Sequence, residues 1–104
     1  MEGTSGPSYQ LSAVKELVRS GNYTPTGTAL DGLFALGFDA YDLVDCILAL
    51  TDRDFYKTME SEQLKGAWQD VYRPEYCGVL LYVKLQIVQV SANERAIIIS
   101  FKRK

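Results

Sequence analysis

The stretch Val79-Leu80-Leu81-Tyr82-Val83-Lys84-Leu85-Gln86-Ile87-Val88-Gln89-Val90 decides the fold. Successive side chains on a strand point to opposite faces, so Leu81, Val83, Leu85 and Ile87 share one side and Tyr82, Lys84 and Gln86 the other. That alternation predicts a long strand with an apolar face and a polar one. Downstream, residues 91–95 contain Asn93, suited to a tight reversal, and residues 96–102 resume the period of two. There Ile97, Ile99 and Phe101 are expected on the core side and Ile98, Ser100 and Lys102 outside. Upstream, residues 55–59 and 68–73 read as two further strands. Pro74 ends the second because it has no N–H to donate to a ladder. Gln69, Val71 and Arg73 should face away from Trp68, Asp70 and Tyr72, and antiparallel neighbours are expected.

Before residue 54 the period is that of helices. Leu11, Val14, Leu17 and Val18 recur every three or four residues, which predicts a short amphipathic helix over 10–19 closed by Ser20 and Gly21. Residues 22–27, with Pro25, read as a loop. Thr28 is expected to cap a second helix whose apolar side is Leu30, Leu33 and Phe34, with Gly37 as its C-terminal stop. The third helix, 39–50, has the clearest start. Asp39 is the cap, Asp42 complements the helix dipole, and Phe38 can staple onto Leu43. Three helices before four strands is an α+β pattern, with N-terminal helices packed on one face of a C-terminal antiparallel sheet.

At 104 residues and 47% hydrophobic composition the chain suits one core, so residues 1–104 are expected to form a single domain. The longest apolar runs are broken by Lys84, Gln86 and Gln89 or end at Asp45 and Asp52, short of the roughly 18 residues a membrane helix needs. Residues 1–10 lack the basic start and apolar run of a secretory signal. A cytoplasmic protein without membrane association is expected. Cys46 and Cys77, with no histidine in the chain, are too few donors for a zinc site, and both are expected to be buried thiols. The missing histidine also removes the side chain best matched to proton transfer near neutral pH.

Net charge is −2, but unevenly placed. Residues 1–53 hold three basic against seven acidic residues (−4), and residues 54–104 eight against six (+2). With a sequence pI of about 5.0, attraction to phosphate has to be local. The polar sheet face supplies it, carrying Tyr82, Lys84 and Lys102 with Gln69 and Arg73. No glycine-rich phosphate loop, His-Glu-x-x-His or calcium-loop spacing is present. Lys, Arg, Tyr and Gln suit metal-free cleavage of RNA, which needs a base for the 2′-hydroxyl proton, cations for the phosphate and an acid for the departing 5′-oxygen. Lowered lysine and tyrosine pKa values would fit those groups to the work.

Several stretches are distinctive: Asp54-Phe55-Tyr56-Lys57-Thr58-Met59, Trp68-Gln69-Asp70-Val71-Tyr72-Arg73-Pro74, Tyr82-Val83-Lys84 and Ser100-Phe101-Lys102. With Leu11-Ser12-Ala13-Val14-Lys15-Glu16-Leu17-Val18, the sequence resembles the MqsR family of bacterial toxins from about residue 11 onward. The resemblance implies a RelE-like ribonuclease fold and an mRNA interferase, the toxin of a type II toxin–antitoxin pair, cutting mRNA around GCU and so suppressing translation under stress. It matches the family's catalytic groups to Lys57, Gln69, Tyr82 and Lys102. Tyr56, Met59 and Arg73 fall at supporting or RNA-contacting positions, and Lys84 joins them as a cation of the same face. The implied partners are mRNA and an MqsA-type antitoxin with its own zinc site and helix-turn-helix DNA-binding domain, through which the toxin associates indirectly with DNA. No metal or other cofactor is implied for the toxin.

Each residue also has an ordinary reading. Lys57 suits a solvated strand, and Lys102 the protection of a sheet edge. Tyr82 could be a surface aromatic filler. Gln69 could pair with nearby backbone, Arg73 could balance Asp70 or Glu75, and Met59 and Trp68 could belong to the core. Alternation sets Tyr56 and Lys57 on opposite sides, so one of the two is expected to be structural. Two other functions fit the order of elements: a winged-helix-like DNA-binding regulator, disfavoured by Asp42 and Asp45 on its would-be recognition helix, and a non-catalytic protein-interaction domain.

Overall fold

The structure, a computed structural model, describes residues 6–104; the first five residues of the polar start lie outside it. The elements in chain order are α1 (Leu11–Arg19), β1 (Tyr23–Pro25), α2 (Gly27–Ala35), α3 (Ala40–Ala49), a 3-10 turn (Asp52–Asp54), β2 (Phe55–Glu60), β3 (Trp68–Tyr72), β4 (Glu75–Tyr76), β5 (Val79–Val90) and β6 (Asn93–Arg103). The fold is α+β, with strand order β1-β6-β5-β3-β2 and β4 attached to β5. All strand pairs are antiparallel except β1, which runs parallel to β6, so the sheet is mixed. Three residues ending in Pro25 carry too little pattern to be read as a strand, and β1 exists because β6 offers it an edge.

The core lies between the helices and one sheet face. Val14, Val18, Leu33, Leu43, Ile47 and Leu50 meet Tyr72, Leu81, Val83, Leu85, Ile98 and Phe101, all buried. Leu81, Val83 and Leu85 face inward as their alternation requires. Ile98 does too, against the sequence expectation, because β6 contains a bulge: Lys84 pairs with Ser100 and Leu85 with Ile98, leaving Ile99 as an extra residue. The extra residue reverses which side chains face inward upstream of it, so Ala96 and Ile98 enter the core and Ile97 and Ile99 stay out. Thr26 secures the irregularity. Its hydroxyl donates to the Ile99 carbonyl (2.9 Å) and accepts from the Ala29 N–H (3.1 Å), so Thr26, rather than Thr28, caps α2.

The start of α3 is as expected, with Asp39 and Asp42 forming a reciprocal capping box, and Gly37, in the left-handed region (φ 80°), follows α2. Two hairpins differ from expectation. Cys77 and Gly78, both at positive φ, form the two-residue turn between β4 and β5, which leaves Cys77 exposed while Cys46 is buried. Between β5 and β6 the loop is Ser91 and Ala92 alone, with Val90 opposite Asn93. Trp68 is 44% exposed rather than in the core.

Asp70 is buried (1% exposed) on the helix side. Its carboxylate accepts from the backbone N–H groups of Ser8 (2.9 Å) and Tyr9 (3.0 Å), tying the chain before α1 across β3. Two N–H donors compensate a charge that burial alone would make costly.

Tyr72 is a buried polar group without such compensation: among the described residues its hydroxyl has no hydrogen-bond partner. Burial, then the charges of Asp70 and Asp52, push this phenol from 10.0 up to about 12. Burial, with nearby acidic groups, likewise takes the Cys46 thiol from 9.0 to about 12. Both groups hold their protons more tightly folded than unfolded. Keeping both groups protonated therefore costs the fold nothing further below about pH 9, and stability falls as pH rises from there toward 12. Tyr72→Phe is expected to raise stability by about 1 kcal/mol, or roughly 4–8 °C in Tm, and to reduce the alkaline loss. Thermal melts of both proteins between pH 7 and 11 check this, and a lower Tm for the variant at pH 7 would contradict it.

Candidate functional site

Strand register lays out the face opposite the helices. Lys57 pairs with Val71, Val71 with Lys84, and Lys84 with Ser100, forming one row across β2, β3, β5 and β6. A second row holds Lys102 paired with Tyr82. Because Tyr72 pairs with Val83, Arg73 falls beside Tyr82. A third row runs from Met59, paired with Gln69, to Gln86, paired with Ile97. The step from Gln69 to Gln86 is a side-chain hydrogen bond in which Gln69 Nε2 donates to Gln86 Oε1 (3.2 Å).

Tyr56 completes the second row through another bulge. The register shifts between Phe55 and Lys57, which leaves Tyr56 as an extra residue. Its ring lies under the Arg73 guanidinium (4.3 Å to the ring centroid) and near Lys57 Nζ (5.4 Å). Tyr56 and Lys57 thus share the outward face, correcting the expectation from strict alternation. On the other flank Lys102 Nζ lies 5.2 Å from the Tyr82 ring centroid. All eight residues singled out from the sequence, Tyr56, Lys57, Met59, Gln69, Arg73, Tyr82, Lys84 and Lys102, stand on this one face.

Val71 forms the floor. It is 0% exposed although it faces away from the main core, and it lies between Lys57 and Lys84 in its row, where aliphatic lysine stems can cover it while their ammonium groups stay wet. Neighbouring strands are ~4.8 Å apart, so the Lys57 and Lys84 backbones are ~10 Å apart across β3. Side chains as long as lysine, arginine and tyrosine can reach a single tetrahedral anion above Val71 from both sides. Among the described residues the salt bridge formed is Arg19–Glu16 on α1, and none of Lys57, Arg73, Lys84 and Lys102 is paired with a carboxylate there. Asp70 cannot neutralise Arg73, since alternation along β3 turns it to the other face, where backbone N–H groups occupy it.

The helical side has the opposite character. On α3, Asp42 and Asp45 both accept from the Tyr76 hydroxyl (3.1 and 2.9 Å), and burial followed by these carboxylates raises the Tyr76 pKa. This acidic helix suits no DNA groove. The outward sheet face can bind an anion, spread developing charge over several cations and exchange protons through amine and phenol groups.

Sequence reasoning left three residues out of the site. Alternation assigns Val71 and Ile99 only to faces and sets Gln86 outward without a role. The run Ile97-Ile98-Ile99 carried a signal for Ile99, because three consecutive β-branched apolar residues break alternation where a strand is bulged. Nothing local marks the bulge at Tyr56.

Comparison with known proteins places these observations in a family context. The family model described as "Motility quorum-sensing regulator, toxin of MqsA" matches residues 6–103. Over 98 residues the chain is 36% identical to the mRNA interferase toxin MqsR of Escherichia coli (strain K12), covering 94% of this chain and 95% of that relative.

Proposed function

The chain belongs to the MqsR toxin family, and on that premise we propose that it is an endoribonuclease toxin of a type II toxin–antitoxin pair, cutting mRNA near GCU and halting translation. Its partner on this reading is an MqsA-type antitoxin bearing zinc and a helix-turn-helix domain, which links the toxin to DNA only indirectly. The observation that carries the catalytic part is the register placing Lys57, Arg73, Lys84, Tyr82 and Lys102 around Val71 on one face.

The scissile phosphate sits above Val71, with Arg73 and Lys84 holding its non-bridging oxygens. Attack by the neighbouring 2′-oxygen forms the O2′–P bond and breaks the P–O5′ bond, so a proton must leave O2′ and another must reach O5′. In-line displacement places those transfers on opposite sides of phosphorus. Lys57 stands on one side, on β2, and Tyr82 with Lys102 on the other, on β5 and β6, which matches that requirement. Charge developing on the phosphorane oxygens is stabilised by fixed cations rather than reorganising water. Gln69 and Met59, in the adjoining row, and Tyr56, beneath Arg73, position the nucleotides on either side.

The test uses purified protein, an RNA containing GCU, and the same RNA with a single 2′-deoxy substitution at the cut. The expected result is cleavage in EDTA that leaves 2′,3′-cyclic phosphate and 5′-hydroxyl ends, with the deoxy substrate intact. Equal cutting of the deoxy substrate would sink the mechanism.

A further inference from the structure

Behind the cationic face, on the helix side of the sheet, the chain just before α1 is bonded to both strands of the β2–β3 ribbon. The Ser8 and Tyr9 N–H groups donate to the two carboxylate oxygens of Asp70 on β3 (2.9 and 3.0 Å). The Tyr9 hydroxyl donates to the Trp68 carbonyl (2.7 Å), and the Ser8 hydroxyl meets that of Thr58 on β2 (2.6 Å). Thr58 and Asp70 are themselves register partners. Since Tyr9 also packs against the main core, this segment joins core to ribbon.

The ribbon has little else behind it. β2 is the edge strand, and the ladder from β3 to β5 ends at Asp70, whereas β2 and β3 stay paired as far as Glu60 and Trp68. Helices α1 and α2 lie against β6, and the described β2 residue packed against the core is Phe55, at the other end of the strand. A two-stranded ribbon left to itself is marginally stable and twists more than a full sheet. Its tied residues alternate with the candidate site: Thr58 stands between Lys57 and Met59, and Asp70 between Gln69 and Val71. Any swivel of the ribbon would move Lys57 relative to Tyr82 and Lys102, which the β5–β6 pairing holds.

We propose that residues 7–10 are a strap that fixes the β2 side of the site against its β5–β6 side, with Asp70 as the positioning residue to which the strap is fastened. The inference rests on the ribonuclease reading of the outward face. Asp70 touches no reacting atom, being buried on the opposite side of the sheet. A carboxylate can accept both N–H groups, one on each oxygen, whereas an amide offers one oxygen and a donating nitrogen. Asp70→Asn therefore sets one backbone N–H against an NH₂ and loosens the strap. Misplacement of a reacting group by about 1 Å can cost ~10²-fold in rate. Lys84 and Lys102 stand on β5 and β6, away from the strap, so attraction of the phosphate persists. Loosening the strap thus bears on kcat rather than KM.

The experiment measures kcat and KM on a GCU-containing RNA, below every melting transition, for wild type, Asp70→Asn, Tyr9→Phe, Lys57→Ala and the Lys57→Ala, Asp70→Asn double variant. Asp70→Asn should lower kcat about 10- to 100-fold with KM little changed. Tyr9→Phe keeps Asp70 and removes the bond to Trp68, and should lower kcat about three- to tenfold, as the loss of one neutral hydrogen bond allows. In the Lys57→Ala background Asp70→Asn should cost less than about twofold more, because its effect passes through Lys57. An equal proportional loss in both backgrounds, or a rise in KM with kcat unchanged, overturns the proposal and leaves the ribonuclease reading standing. Should Asp70→Asn fail to fold, a wild-type kcat for Tyr9→Phe does the same. Absence of cutting by wild type, or full activity of Lys57→Ala, overturns the reading of the site itself, and the strap's role with it.

Discussion

Replacing Lys57 by alanine is expected to slow RNA cleavage by ~10²–10³-fold, and Tyr82→Phe to have an effect of the same order, because each removes a group that the proposed mechanism uses to move a proton in the transition state. The double variant is expected to fall little further than the weaker single. Groups acting in one concerted displacement fail as a unit, and charge stabilisation by Arg73, Lys84 and Lys102 remains. Both side chains stand on the sheet face away from the main core, outside the packing of Leu81, Val83 and Phe101, so melting temperatures should change by no more than a few degrees. Initial rates on a GCU-containing RNA, taken with the melts, give the measurement. A double variant cutting within twofold of wild type would remove proton transfer by these residues from the mechanism.

Gly32→Ala should be the most damaging small substitution in the chain, although helix propensity predicts the reverse. An alanine inside an exposed helix normally gains about 1 kcal/mol over glycine. Gly32 is inside α2, but a Cβ there would collide with the backbone carbonyl of Phe101 and come within 3.3 Å of Lys102 Cβ. The colliding atom is backbone within β6, so no rotamer change relieves it, and α2 and the strand have to separate. Overpacking of this kind costs typically 1–3 kcal/mol, which for a domain near 100 residues corresponds to roughly 5–20 °C in Tm. Because β6 also carries Lys102 beside Tyr82, the movement reaches the candidate site. Gly32→Ala should therefore lower RNA cleavage below the melting transition as well. A variant with wild-type Tm would show that α2 can shift without cost.

The two substitutions probe different parts of one arrangement. Helices occupy one sheet face and leave the other free for cations, so the carboxylates of α3 and the buried Asp70 lie on the far side of the sheet from Lys57, Arg73, Lys84 and Lys102. That separation is how an acidic protein presents a local surface for phosphate. A field of this kind weakens with salt, whereas the proton transfer proposed at Lys57 and Tyr82 does not depend on it directly.

Wherever one element carries its own pattern, the sequence was enough. The alternation of residues 79–90 made both faces of β5 legible, and Asp39 with Asp42 marked the start of α3, because strand period and capping box depend on residues within one turn or one strand. From those periods alone the α+β order followed, and so did the outward placement of Tyr82, Lys84, Lys102, Gln69 and Arg73. What the sequence could not contain is where a strand gains a residue relative to its neighbour. The bulges at Tyr56 and Ile99 arise from pairing across the sheet, and the second is held by a hydroxyl 73 residues away, Thr26, bonded to a carbonyl that the ladder leaves free. These two irregularities brought Tyr56 beside Lys57 and turned Ile99 to the outward face. Local periodicity thus determined which residues could share a surface, and only tertiary hydrogen bonding decided which of them meet.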